Sequence, residues 1–263
     1  MSQNTTWTPI DHVIIGGVRA AVASRQTLSD AMVADCRARM SAGGRARIIA
    51  DVNGHGLSLY ATDKAFRQDL DAADVVHADG AFITVVSRYF CDATIPERSA
   101  TTDMIHDAAV AAIDAGLSFY LLGATADVNR RCRQELERLY PKLRIAGARD
   151  GFFSEAEEGA VVDEINRSGA DIVWVGLGKP KEQAFAIRWR ERFSAGWVIT
   201  CGGCFNYITG DYTRAPVWMQ NAGLEWLHRM LTKPKALFWR YLTTTPHALY
   251  LIARHTRRQV LPG

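Results

Sequence analysis

The sequence predicts an α/β fold: a Rossmann-like parallel sheet flanked by helices, with a helical C-terminal appendage. Three observations predict it. From residue 12 to residue 201, short apolar runs alternate with amphipathic stretches of helical period, the pattern of βα units that feed a parallel sheet. Several of the apolar runs end in glycine-containing turns that lead into helices. Beyond residue 215 the strand pattern stops, and basic, aromatic, amphipathic sequence replaces it.

Taken in order, apolar runs over 12–15 and 46–51 read as strands, with an amphipathic helix over 28–40 between them. A helix over 57–70 leads to a strand over 74–77, whose Val75-Val76 marks its buried end. Asp79-Gly80 follows as a turn, because glycine admits backbone angles that most residues avoid, and 81–88 reads as helix. Residues 92–103 hold Pro96, Glu97, Arg98 and three threonines; they read as a loop joining two halves. The second half repeats the pattern, with helices over 104–115, 128–139, 155–167 and 182–193 and strands over 117–122, 143–146, 171–176 and 197–201. Residues 1–215 therefore form the α/β domain, and 216–263 a helical, strand-free appendage.

The chain has 263 residues and is 48% hydrophobic, enough for an ample core. Its net charge of +3 conceals an asymmetry: residues 216–263 carry seven Lys/Arg and one acid, whereas 1–215 carry 24 basic and 27 acidic groups. A mildly acidic body ends in a basic tail. The five cysteines, at 36, 91, 132, 201 and 204, are odd in number and scattered, unlike a secreted disulfide framework. Residues 1–9 lack the basic and apolar regions of a signal peptide, and no apolar run nears the ~20 residues a membrane-spanning helix needs. The expectation is a cytoplasmic protein whose membrane contact is peripheral.

Candidate chemistry clusters at the predicted strand ends. Asp79 lies at a strand-to-helix turn, where open α/β sheets place ligand crevices. Its carboxylate suits a general base, a metal ligand or a ribose-binding group; a helix N-cap is the alternative. His77, two residues earlier, reads as a packed strand-end histidine. The turn at Gly123-Ala124-Thr125 offers a helix N-terminus to phosphate, but without the G-x-G-x-x-G spacing of a dinucleotide site. In Gly176-Leu177-Gly178-Lys179-Pro180-Lys181-Glu182-Gln183 the glycines permit close backbone approach, Lys179 and Lys181 suit phosphate, and Gln183 suits a sugar or base edge; a proline-containing loop that caps the next helix is the alternative. Cys201-Gly202-Gly203-Cys204 has C-x-x-C spacing but neither a second ligand pair nor a thioredoxin-like context. In the tail, Trp218, Trp226, Phe238, Trp239 and Tyr241 interleave with basic residues, as in helices that lie in a membrane interface or meet pyrophosphate. A helix packed on the domain with a solvated basic face is the bland alternative. No nucleic-acid motif is present, and nucleic acid is not expected as a partner.

Together these stretches resemble the WecG/TagA/CpsF glycosyltransferases, glycosyltransferase family 26, from about residue 45 to residue 242. The carriers are Val52-Asn53, the Ala-Asp-Gly at Asp79, Pro96-Glu97-Arg98, Leu121-Leu122-Gly123, Asp150-Gly151-Phe152-Phe153, Gly176-Leu177-Gly178-Lys179-Pro180-Lys181, Arg214-Ala215-Pro216, Leu224-Glu225-Trp226-Leu227-His228-Arg229 and Arg240-Tyr241-Leu242. The resemblance implies inverting, metal-independent transfer from a UDP-sugar to a polyprenyl-pyrophosphate-linked saccharide in bacterial cell-surface or exopolysaccharide synthesis. No cofactor is implied beyond the UDP-sugar itself. It implies catalytic roles for Asp79 and Arg229, and binding roles for Asn53, Arg98, Gly123, Gly151, Phe152, Gly178, Pro180, Gln183 and Arg240. It also implies attachment to the inner face of the plasma membrane through the tail, and leaves a homo-oligomer open. Look-alikes use UDP-N-acetylmannosamine, its uronic acid or UDP-glucose, so the donor sugar stays open. Two departures stand out. The family order is Pro-x-Gln-Glu, whereas this chain has Pro180-Lys181-Glu182-Gln183, which leaves open whether Glu182 or Gln183 faces the donor; and Ala236 stands where the tail motif has arginine, with Lys235 beside it. The rival readings are a nucleotide-sugar oxidoreductase or epimerase, and a non-catalytic membrane- or polyanion-binding module.

Overall fold

The computed structural model describes residues 9–42, 44–221, 224–232 and 234–263. Its strands are β1 (His12–Ile15), β2 (Val18–Ala21), β3 (Arg47–Val52), β4 (Val75–Ala78), β5 (Ser118–Gly123), β6 (Arg144–Arg149), β7 (Ile172–Gly176), β8 (Trp197–Thr200) and β9 (Arg257–Leu261). Its helices are α1 (Arg25–Ala42), α2 (Gly54–Thr62), α3 (Lys64–Ala72), α4 (Ala81–Phe90), α5 (Thr101–Ala115), α6 (Ala126–Leu139), α7 (Glu158–Ser168), α8 (Lys181–Arg188), α9 (Cys204–Ile208), α10 (Val217–Asn221), α11 (Glu225–Thr232) and α12 (Pro234–His255).

Six strands form one parallel sheet in the order β4-β3-β8-β7-β5-β6. Strand β3 of the first half pairs with β8 of the second, so residues on both sides of the 92–103 loop feed a single sheet. Neighbouring strand residues divide between two cores. Ile48, Ala50, Val173 and Val175 point to the face covered by α2, α3, α7, α8 and α12. Ile49, Phe119, Leu121 and Trp174 point to the face covered by α1, α5, α6 and α9. Burial on both faces explains why the strands read as continuous apolar runs rather than alternating ones.

Apart from shifted helix ends, such as α8 stopping at Arg188, three details differ from the sequence expectation. The helix expected over 57–70 is two helices, because Asp63 is extended and its Oδ1 accepts from Ala65 N at 2.9 Å and Phe66 N at 3.1 Å, capping α3. Strand β2 was not expected. It pairs with β1 through a turn at Gly16 and Gly17, whose φ values are +59° and +90°, and that Gly-Gly is a hairpin signal. The C-terminal segment is helical as expected, but it ends in β9, which pairs antiparallel with β1 in a three-stranded sheet ordered β2-β1-β9. Arg257-Arg258-Gln259 carries no apolar run to announce that strand.

The C-terminal segment also closes over the main sheet's carboxyl edge. Ala248, Leu251 and Ile252 of α12 are buried in the same core as Leu57 of α2, and Ser58 Oγ lies 2.9 Å from His247 Nδ1. Among the described residues no helix is long and apolar enough to cross a membrane.

Candidate active site

Past the carboxyl ends of β3, β4, β7 and β8 lies a cavity of about 380 Å³, roofed by α11 and α12. Asp51, the last residue but one of β3, is buried. Asn53, next but one, caps α2: its Oδ1 accepts from Gly56 N at 3.1 Å. That leaves its Nδ2 free to donate to Asp51 Oδ2 and Asp79 Oδ2, both at 3.3 Å. One asparagine thus fixes the helix start and ties two carboxylates together.

Asp79 follows β4 but does not cap α4. Gly80 is the cap residue and has no side-chain cap bond, so the Asp79 carboxylate faces the cavity instead. Gly80 itself has φ −95°, so it is not there for a left-handed angle; a Cβ would lie 3.0 Å from the Phe82 ring. His77 is fully buried and does not line the cavity. Burial pushes its pKa down against the pull of Asp51 and Asp79.

The β7–α8 loop supplies the next wall. Gly178 has φ +79°, a left-handed angle that suits glycine, and Lys179-Pro180 is a cis peptide. Lys179 Nζ reaches Asp51 Oδ1 at 2.6 Å. Burial opposes its charge, but Asp51 and Glu182 outweigh burial and raise its pKa. Glu182 Oε2 accepts from Gly178 N at 3.0 Å and Gly202 N at 2.9 Å. Burial nevertheless pushes its pKa up to about 7, with Lys179 pulling the other way.

The roof is basic. Arg98 pairs with Glu225 and lies 3.8 Å from Asp103. Arg229 stacks over Tyr207 at 5.6 Å, and Arg240 over Tyr241 at 5.1 Å. Burial works against the Arg229 charge, and the surrounding Tyr241, Tyr207, Asp79 and Glu225 more than offset it, so its pKa is raised.

A cavity that sets a carboxylate at a strand end against three arginines suits transfer of a group from an anionic leaving group. The description "Glycosyl transferase WecG/TagA/CpsF family" matches residues 15–261, nearly the whole described chain. The chain belongs to the WecG/TagA/CpsF family. It is a glycosyltransferase. Two similar proteins, from Bacillus spizizenii (strain W23) and Bacillus subtilis (strain 168), are each named N-acetylglucosaminyldiphosphoundecaprenol N-acetyl-beta-D-mannosaminyltransferase. Each is 28% identical to this chain. The matches cover 73% and 74% of this chain and 73% of each relative. Family membership displaces the oxidoreductase and binding-module readings.

In this glycosyltransferase the cavity brings together Asn53, Asp79, Arg98, Gly178, Arg229 and Arg240, drawn from both ends of the sequence. It does not bring in Gly123, Gly151, Phe152, Pro180 or Gln183, none of which lines it. Gly123 serves packing: a Cβ there would lie 2.3 Å from Gly176 O. Gly151 packs in the same way against Leu177 and Gly123. Phe152 is 78% exposed, and Pro180 starts α8 on the surface. Gln183 is buried, its Nε2 3.3 Å from Thr200 Oγ1; it is Glu182 that lines the cavity. Lys179, expected to suit phosphate, is taken up by Asp51, and Lys181 is exposed. Cys201 and Cys204 line one side as free thiols, and burial holds the Cys201 thiol well above its usual pKa, against redox use. Among the described residues no group of three or more His, Cys, Asp or Glu could hold a metal ion. Lys233 and the side chains of Lys235 and Ala236 lie outside the described residues. Sequence reasoning did not single out Asp51, His55, Tyr207 or Glu225 as cavity residues; of these, Asp51, a charge within an apolar strand, and Glu225, inside a family-like motif, carried a signal.

Proposed function

We propose that this glycosyltransferase moves a hexose or N-acetylhexosamine from a UDP-sugar to a polyprenyl-diphosphate-linked saccharide, with inversion and without a bound metal. The observation that carries this reading is Asp79, a strand-end carboxylate that caps no helix and faces arginines in one cavity. Asp79 takes the proton from the acceptor hydroxyl as that oxygen attacks the anomeric carbon from the face opposite UDP. Asn53 orients Asp79 through its Nδ2. Arg229 and Arg240, with Arg98, meet the charge that develops on the departing diphosphate, the task a metal would otherwise perform. The two Bacillus relatives, whose names specify a diphosphoundecaprenol-linked N-acetylglucosamine, support a lipid-linked acceptor for this chain.

Such an acceptor lies in a membrane, and the outer face of α12 suits one. Trp239, Leu242, Leu249 and Tyr250 are exposed at helical spacing, and Trp218 of α10 is exposed too. Arg254, Arg257 and Arg258 are exposed nearby in sequence and suit anionic lipid. The reading places the enzyme peripherally on the inner face of the plasma membrane. The test is a UDP-release screen across UDP-sugars with a short prenyl-diphosphate N-acetylglucosamine acceptor, with and without EDTA. UDP release that needs the acceptor and survives EDTA supports the reading. No release with any donor, or activity lost to EDTA and restored by Mg²⁺ or Mn²⁺, overturns it or its metal-free part respectively.

A further inference from the structure

The side chains of Lys179 and Asp51 are each more than nine-tenths buried, and they meet each other. Lys179 Nζ bonds both carboxylate oxygens, at 2.6 Å to Oδ1 and 2.5 Å to Oδ2. The two residues are 128 positions apart in the chain, so the pair joins the β7–α8 loop to β3. The stem of Lys179 passes Gly56 in the first turn of α2, where a Cβ would lie 3.6 Å from Lys179 Cε. Asp51 Oδ2 has a second donor. It accepts from Asn53 Nδ2 at 3.3 Å, and the same Nδ2 donates to Asp79 Oδ2 at 3.3 Å. Asn53 Oδ1 accepts from Gly56 N at 3.1 Å. The amide therefore has one orientation. Turned over, it would set its oxygen against two carboxylates and its NH2 group against a backbone N–H.

We propose that Asp51 and Lys179 are positioning residues for Asp79: Lys179 pins the Asp51 carboxylate, Asp51 holds the Asn53 amide, and the amide sets the rotation of the Asp79 carboxylate. The inference rests on the reading of Asp79 as the general base. A base must lie within hydrogen-bond reach of the proton it takes, and a carboxylate turns about single bonds unless a neighbour holds it. Among the described residues, Asn53 is the one hydrogen-bond donor to the Asp79 carboxylate, so the geometry of the base depends on that amide. Asp51 is what keeps the amide in place on its other side. A buried carboxylate in turn needs a cation, and Lys179 is that cation. Neither residue has to touch substrate, because each acts through the next. Remove the Asp51 oxygens, and the second N–H of Asn53 loses its acceptor, which frees the amide to swing and Asp79 with it.

The test measures kcat with a UDP-sugar and a short prenyl-diphosphate N-acetylglucosamine acceptor, together with the calorimetric Kd for UDP, in full-length variants. Asp51→Leu combined with Lys179→Met replaces the ion pair by apolar side chains, an exchange that buried pairs often tolerate, and leaves Asn53 without its second acceptor. It should lower kcat by ~10–100-fold and keep the Kd. Asp51→Asn keeps an oxygen for Asn53 and should stay within about threefold of the wild-type kcat. On an Asp79→Asn background the apolar pair should lower kcat no further, because no base is left to position; a merely structural role would lower it by the same factor in both backgrounds. An apolar-pair variant with wild-type kcat, an Asp51→Asn variant that falls as far, or the full further loss on the Asp79→Asn background overturns the proposal. If Asp79→Asn alone keeps normal turnover, or the wild type transfers nothing, the reading of Asp79 fails and takes this inference with it. Should the apolar pair not fold, Asp51→Ala alone, which leaves Lys179 the charge of Glu182 nearby, carries the same expectation.

Discussion

Asp79 and Glu182 are both carboxylates of the same cavity, and their surroundings assign them different work. Asp79 is partly exposed and accepts from Asn53; Glu182 is buried, beside Lys179. If Asp79 is the general base, Asp79→Asn should lower turnover by ~10²–10⁴ while UDP-sugar affinity is kept, read by comparing kcat with a calorimetric Kd. Normal turnover would reduce it to a structural residue. Glu182 gives a pH dependence instead. Its folded pKa of about 7 lies above the ordinary carboxyl value of 4.5, so between those values the folded protein holds a proton that the unfolded chain has released. Its contribution to stability is complete below about pH 4.5 and is lost as pH rises towards 7. The urea midpoint should therefore fall between pH 5 and pH 8 by more in the wild type than in Glu182→Gln; equal falls would assign the dependence to other groups.

At the scale of the element, α12 has two apolar faces with different fates. Tyr241, Ala248, Leu251 and Ile252 point inward and are buried, whereas Trp239, Leu242, Leu249 and Tyr250 are exposed. The first face docks on α2 and fixes Arg240 over the cavity. The second lacks cover within the described chain and is the face assigned to the membrane. Replacing Trp239 and Leu249 by serine should weaken co-sedimentation with anionic vesicles by ~10–100-fold and leave the thermal midpoint unchanged, because neither side chain is in the core. Undiminished sedimentation would move the membrane contact elsewhere. Helix α11 contributes through Arg229. Arg229→Ala should still sediment with vesicles yet lose ~10²-fold or more in kcat, as expected when a donor to developing charge is removed; an unchanged kcat would remove it from the site.

For the whole molecule, strands from the first and last parts of the described residues are joined in one sheet. Strand β9 pairs with β1 next to the β1–β2 hairpin, and α12 lies between that sheet and α2, with Ile252 near Gly16. A chain ending before Val217 would uncover Leu57 and its neighbours, leave β1 with an open edge and remove Arg229 and Arg240 from the cavity. It should lose the near-UV circular dichroism of the wild type and all transfer to a water-soluble acceptor analogue. A truncated chain that keeps its cooperative thermal transition would show that the body folds without this cover.

The parallel sheet, most of its helices and the family were legible in the sequence, because strands buried on both faces must be continuous apolar runs and amphipathic helices must repeat every three to four residues. That Asp79, Asn53, Arg98, Arg229 and Arg240 come together along one cavity was legible only as far as short motifs named them; their roles belong to the proposal. Local patterning could not show that Asp63 would divide one helical stretch, because a cap is a competition between local hydrogen bonds. Nor could it find β9, whose Arg-Arg-Gln start becomes a strand only because β1, distant in the sequence, offers it an edge. The choice between Glu182 and Gln183 was also beyond it. Adjacent helix positions point about 100° apart, and only the packing of α8 on Thr200 decided which of them turned towards the cavity.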